Sequence, residues 1–177
     1  MNETPHFFRL RFLPSLFFLC SFISCSSSNG IDDYFTFNEQ ASHGVALDNL
    51  VFQNQPVRVP ISISIDSAEY AKNGTTLDLV KSIKLNSLIL HSDDGSYPFS
   101  KIDTLTFSVQ ADSVGSQVLA TYSGAADNVT YTNADFAGYL KGRNATFMIS
   151  MSTANPPSGQ FSFTVSTTDV LTARPQQ

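Results

Sequence analysis

"VRVPISISI", residues 57–65, places Val57, Val59, Ile61, Ile63 and Ile65 at every odd position, with Arg58, Pro60, Ser62 and Ser64 between them. Successive side chains of a strand point to opposite faces, so nine residues of period two describe a half-buried β-strand. A helix would scatter the same apolar residues around its circumference. Pro60 has no N–H to give to a ladder, which predicts a sheet margin or a bulge for this strand.

The same alternation recurs downstream. "FSFTV" puts Phe161, Phe163 and Val165 on one face, "TFMISM" does so with Phe147, Ile149 and Met151, and "LTFSV" with Leu105, Phe107 and Val109. In "VLATY" the inward set reads as Val118, Ala120 and Tyr122. "IKLNSLIL" changes phase between Leu85 and Leu88, so a bulge is expected at Asn86–Ser87. "VALDNLVF" slips at Asp48–Asn49, where a bulge or a tight turn fits. The breaks "SDDGSYP", "ADSVGSQ" and "ANPPSGQ" are made of residues that accept turn dihedrals. Two short helical turns are expected. One is in "TNADFAGYLKG", capped by Thr132 or Asn133 with Phe136, Tyr139 and Leu140 on one face. The other is in "TTLDLVKSI", capped by Thr75 or Thr76. Short alternating strands with such breaks predict an all-β chain, a single two-sheet antiparallel β-sandwich.

The first residues read differently. Arg9 and Arg11 precede an apolar stretch from Phe12 to Ile23, and Ser24 stands before Cys25. This is the pattern of a secretory signal, too short as a helix to cross a bilayer core of roughly 30 Å. "FISC", residues 22–25, resembles the lipobox of bacterial lipoproteins. The resemblance implies that the Cys25 thiol receives a diacylglyceryl group and that cleavage makes Cys25 the new N-terminus. Leu19 is too large for the position before a modified cysteine, so Cys20 does not match. The alternative is an ordinary signal cut after Ser24 or slightly later. If that cut spared Cys25, it would leave one unpaired thiol in an oxidising compartment. The expected organisation is a signal peptide over 1–24, a lipidated tether over 25–30, a sandwich over 31–172 and a frayed tail over 173–177.

Beyond residue 24 the chain keeps eight Lys and Arg (10 less 2) against fourteen Asp and Glu (15 less 1), a net charge of −6. So acidic a surface argues against nucleic acid and against a polybasic grip on anionic lipid. The chain has two histidines here, His43 and His91, and no "GxSxG". His91 reads as a solvated turn residue beside "SDDG", and His43 as part of the polar lead-in "EQASHG". The weak metal candidates are calcium ligands on loops, Asp93 and Asp94, with Asp32 and Asp33 in a second pair, although paired aspartates more often form turns. Two histidines suggest no zinc site, and Glu39 and Glu69 with the aspartates carry no glycosidase signature. No cofactor is expected. "NGT", "NVT" and "NAT" at Asn73, Asn128 and Asn144 fit the N-glycosylation pattern, and "DSA", "DTL" and "DSV" at residues 66, 103 and 112 resemble a bacterial O-glycosylation motif; chance accounts for such short matches.

The order "LVKSIKLNSLIL … FSKIDTLTFSV … VLATYSG … ADFAGYLKGRNATFMISM … GQFSFTVSTTDV" resembles small envelope lipoproteins of Gram-negative bacteria, over residues 45 to 172. The resemblance implies a lipidated N-terminus followed by one immunoglobulin-like domain, and it transfers no site residue beyond Cys25. The expectation is a non-catalytic module, lipid-anchored to the bacterial outer membrane. It would bind, adhere or assemble through strand edges or end loops, with a protein or glycan of the envelope as partner. The rivals are an envelope hydrolase with an unrecognised site and a structural spacer.

Overall fold

In β2, Val57–Ile61, the buried Val57 and Ile61 alternate with exposed Arg58 and Pro60, as period two requires. The computed structural model describes residues 33–48, 52–53, 56–61, 67–93, 95, 97–112, 114–142 and 145–176, so the rest of "VRVPISISI" lies outside it. The other strands are β1 (Phe35–Leu47), β3 (Val80–Ser92), β4 (Thr104–Ala111), β5 (Gly115–Ser123), β6 (Asn128–Tyr131), β7 (Thr146–Ser152) and β8 (Phe161–Ala173). They form two antiparallel sheets, β1-β8-β3 and β2-β7-β4-β5-β6, and the chain is the expected two-sheet sandwich. Pro60 sits on a marginal strand, a position that tolerates a residue with no N–H.

The strand order is not the one that the immunoglobulin resemblance implies. That fold joins its first two strands within one sheet. Here β1 pairs with β8, β2 with β7 and β4 with β5, so the chain folds back as a double ribbon that curls across both sheets, in the manner of a jelly roll. Alternation decides which face of a strand is buried. It carries no information about which strand lies beside which.

The core lies between the sheets. Phe161 and Phe163 stack with centroids 5.0 Å apart, and Phe99 meets both edge-on at 5.7 and 5.5 Å. A second cluster stacks Phe107 on Phe147 at 5.5 Å, with Phe136 against Phe147 at 5.8 Å. The bulge expected in β3 is present between Leu85 and Ser87, and it returns Leu88 to the core. A second bulge, between β4 and β5, alters the reading of "VLATY". Phe107 pairs with Ala120 and Ser108 with Val118, so Leu119 is the extra residue. Leu119 is therefore buried with Ala120 and Tyr122, whereas Val118 is exposed.

Two local expectations change, and one helix is new. The helical turn α2, Ala137–Lys141, is capped by neither Thr132 nor Asn133. Asp135 Oδ1 instead accepts the Ala137 N–H at 3.0 Å, and the Thr132 hydroxyl bonds back to the Val118 carbonyl at 2.8 Å. Residues 77–79 form one 3₁₀ turn whose cap, Thr76, makes no side-chain bond, while the Thr75 hydroxyl donates to the Arg174 carbonyl at 2.6 Å. Before that turn stands a helix that the pattern did not suggest, α1, Ser67–Lys72, which buries Tyr70.

The end of the chain is held rather than frayed. β8 runs to a fully buried Ala173, Arg174 N donates to Leu79 O at 3.1 Å, and Gln176 N donates to Gly74 O at 2.7 Å. The structured part thus extends past the expected boundary at 172.

Candidate functional site

The inner face of the β1–β8 pair departs from the apolar rule. Odd-numbered residues of both strands point inward. In register, Glu39 lies opposite Asp169, Ala41 opposite Thr167 and His43 opposite Val165. His43 is therefore neither in a turn nor in a polar lead-in; it belongs to the centre of a thirteen-residue strand. Among the described residues, three buried side-chain atoms have no hydrogen-bond partner: His43 Nε2, Thr167 Oγ1 and Asp169 Oδ1. All three fall on this one patch, between β1 and β8.

Tyr70 of α1 completes the group. Its hydroxyl donates to Glu39 Oε2 at 3.2 Å, and its ring meets Phe37 edge-on at 6.1 Å. Burial, then the Glu39 charge, pushes the Asp169 carboxyl up to about 7. Burial and the same carboxylate also raise the Tyr70 hydroxyl above its ordinary value. Two carboxyl groups side by side, one partly desolvated, cannot both ionise cheaply, so Asp169 keeps its proton while Glu39 accepts the tyrosine hydrogen bond. Such a pair can hold or release one proton near neutrality.

A second feature lies at the other end of β8. Tyr97, Lys101 and the segment Asn155–Gln160 line an open cleft of about 470 Å³. The Tyr97 hydroxyl donates to Asn155 O at 2.6 Å, and the Thr153 hydroxyl donates to Lys101 O at 2.6 Å. These bonds pin the loop. Burial raises the Tyr97 hydroxyl as well, so it stays a neutral donor. The lining holds no carboxylate and no histidine. Phe161, beside the cleft, and Asp169 are eight residues apart, about 26 Å along a strand. The raised carboxyl and the cleft are therefore separate places.

The loop candidates do not converge. Asp93 is exposed; its N–H bonds Ser162 O at 3.0 Å, and its Oδ1 accepts the Thr164 hydroxyl at 2.8 Å. Asp33 is exposed at the other end of the sheet, while Asp32, Asp94 and the lipid-attachment candidate Cys25 lie outside the described residues. His91 is exposed near the end of β3, opposite Thr164, so it belongs to a strand rather than a turn. Among the described residues no three His, Cys, Asp or Glu side chains come together as metal ligands. No signal in the sequence brings Glu39 to Asp169, because 130 residues separate them and only the pairing of the first and last strands joins them.

The sheet margins form the third feature. At the β3 margin, Leu88 N donates to the Tyr131 hydroxyl at 3.0 Å, Ile83 N to Asp135 Oδ1 at 3.0 Å, and Phe136 N to Ile83 O at 3.0 Å. Tyr131 at the end of β6 and the segment after it thus cover that margin from Ile83 to Leu88. In the five-stranded sheet the marginal strands are β2, with five residues and Pro60, and β6, with four. The β1 margin differs. β1 has thirteen residues in unbroken register with β8, contains no Pro, Lys or Arg, and pairs with no second strand among the described residues.

Comparison with protein-family models, curated proteins and solved structures returns no match for this chain.

Proposed function

We propose that this chain is a lipid-anchored, non-catalytic module of the bacterial outer membrane that works by binding or assembly, and that β1 is its binding edge. The margin of β1 carries the reading. A long, unblunted strand edge offers a row of backbone donors and acceptors to another extended segment, and proteins that do not use such an edge cover it or interrupt it. Among the described residues, the other margins of this sandwich are covered, short or broken by proline, and β1 is none of these. The leader and the "FISC" motif support the anchor at Cys25. Two or three acyl chains at about 0.8 kcal/mol per buried methylene would hold the domain at a bilayer.

A hydrolase is the second reading, favoured by the raised Asp169 carboxyl beside Glu39. It is the weaker one, because the pair faces the inside of the sandwich and the described cleft has no carboxylate or histidine in its lining.

Two measurements test the proposal. Intact mass of membrane-extracted protein should begin at Cys25 and carry a diacylglyceryl group, and Cys25→Ala should free the protein from membranes or block its processing. Capture of envelope components by the full chain should weaken when Asn38→Lys and Ser42→Lys put charge along β1. Capture indifferent to both substitutions would overturn the assignment of the edge.

A further inference from the structure

We infer that the β1 edge takes a second copy of this chain, pairing antiparallel about a two-fold axis at Ala41 and joining two three-stranded sheets into one of six strands. This names the partner of the binding edge proposed above and rests on that reading.

Ala41 is the midpoint of β1, so pairing centred there uses all thirteen residues of each copy. Residue by residue, Phe35 of one copy meets Leu47 of the other, Phe37 meets Val45, Glu39 meets His43, and Ala41 meets itself. Every one of these is an inward-facing position, so two inward rows, apolar at their ends and polar at Glu39 and His43, continue into each other without a step. On the outward face, Asn38 meets Gly44 and Gln40 meets Ser42, all uncharged and exposed. The ladder would add about a dozen backbone hydrogen bonds.

The polar residues select this register. Directly opposed Cβ atoms in an antiparallel pair stand about 4.5–5.5 Å apart, within reach of a carboxylate and an imidazole. His43 Nε2 is buried and unpartnered within one copy. Centring on Ala41 sets it opposite a Glu39 carboxylate twice, once on each side of the axis. Moving the axis to Gln40 would set Glu39 against Ala41 and His43 against Phe37. Moving it to Ser42 would set Glu39 against Val45. Only one of the three registers matches the two charged or ionisable residues of β1, and it is also the one that leaves no strand end unpaired. A two-fold contact of this kind closes on itself as a dimer, so the exposed edge ends there rather than propagating into fibres.

Disulfide trapping in intact membranes tests the register. The full chain is produced with its own leader in a Gram-negative host, the membranes are oxidised with copper phenanthroline, and dimer is read on non-reducing gels against the unsubstituted chain. Ala41→Cys should give a dimer band many-fold stronger than Gly44→Cys alone, because residue 41 faces itself and residue 44 faces residue 38. The double variant Asn38→Cys/Gly44→Cys should restore the band; both positions are exposed, so it decides the matter even if Ala41→Cys misfolds. Equal bands at all positions, or no band from the double variant, would overturn the inference. If Ser42→Lys abolished capture of a different envelope component while no variant trapped a dimer, the binding edge would stand and the second copy would not.

Discussion

Asp169 owes its unusual carboxyl to position alone. A side chain that would titrate ordinarily on the outer face of β8 is placed on the inner face, opposite Glu39 and behind Tyr70. The native state therefore holds its proton up to about pH 7, whereas the unfolded chain releases it near the usual carboxylate value. Where the native state binds more protons than the unfolded one, stability falls as pH rises. The contribution is fully present below about pH 4 and is lost as pH rises to about 7. It amounts to a few kcal/mol, since a tenfold change in proton affinity is worth about 1.4 kcal/mol. Urea midpoints measured at pH 5 and pH 8 should differ more for the natural chain than for Asp169→Asn, which keeps the shape and cannot ionise. Equal pH dependence in the two would mean that Asp169 is solvated. Thr167 Oγ1, buried and without a partner two residues away, belongs to the same polar patch.

β8 is the central strand of the three-stranded sheet, and its inner face is where sequence and structure agree best. Phe163 is fully buried, stacked on Phe161 and met edge-on by Phe99. Phe163→Ala should cost about 3–5 kcal/mol through lost transfer energy and a cavity. His91→Ala, at an exposed position of β3, should shift stability by no more than about 0.5 kcal/mol. Chemical denaturation of the two variants side by side checks both, and a His91 variant as weak as the Phe163 variant would mean that the β3 register is wrong. Strands such as β7 and β8 were legible because their inward residues are all large and apolar over the stretch that matters. β1 was not, since its inward positions include Glu39, Ala41 and His43, which mask the period of two. α1 was hidden by its six-residue length, and Leu119 by a bulge that no single-strand pattern announces. The candidate site was illegible for a related reason. It is made by a pairing between the two ends of the domain.

Across the whole molecule, that pairing of ends is what the fold relies on, and it makes the last residues structural. Ala173 pairs with Phe35 on one side and with Val80 on the other, so three strands meet at one residue. Beyond it, Arg174 N bonds Leu79 O, the Thr75 hydroxyl bonds Arg174 O, and Gln176 N bonds Gly74 O. These tie the turn after α1 to the end of β8. The Arg174 side chain reaches Tyr34, donating Nε–H to the phenol oxygen at 3.1 Å and lying 5.1 Å from the ring centroid. At about 0.5–1.5 kcal/mol for each net hydrogen bond, with a fully buried alanine lost as well, removing residues 173–177 should cost about 2–4 kcal/mol. Against a typical total of about 5–15 kcal/mol that is a large share. The comparison is between a fragment of residues 31–177 and one of 31–172, both without cysteine, unfolded in urea with and without EDTA. The longer fragment should show mainly β-structure by far-UV circular dichroism, keep it in chelator, and unfold at the higher midpoint. Coincident midpoints would return residues 173–177 to the status of a tail, and loss of structure in EDTA would reopen the aspartates around residue 93 as calcium ligands.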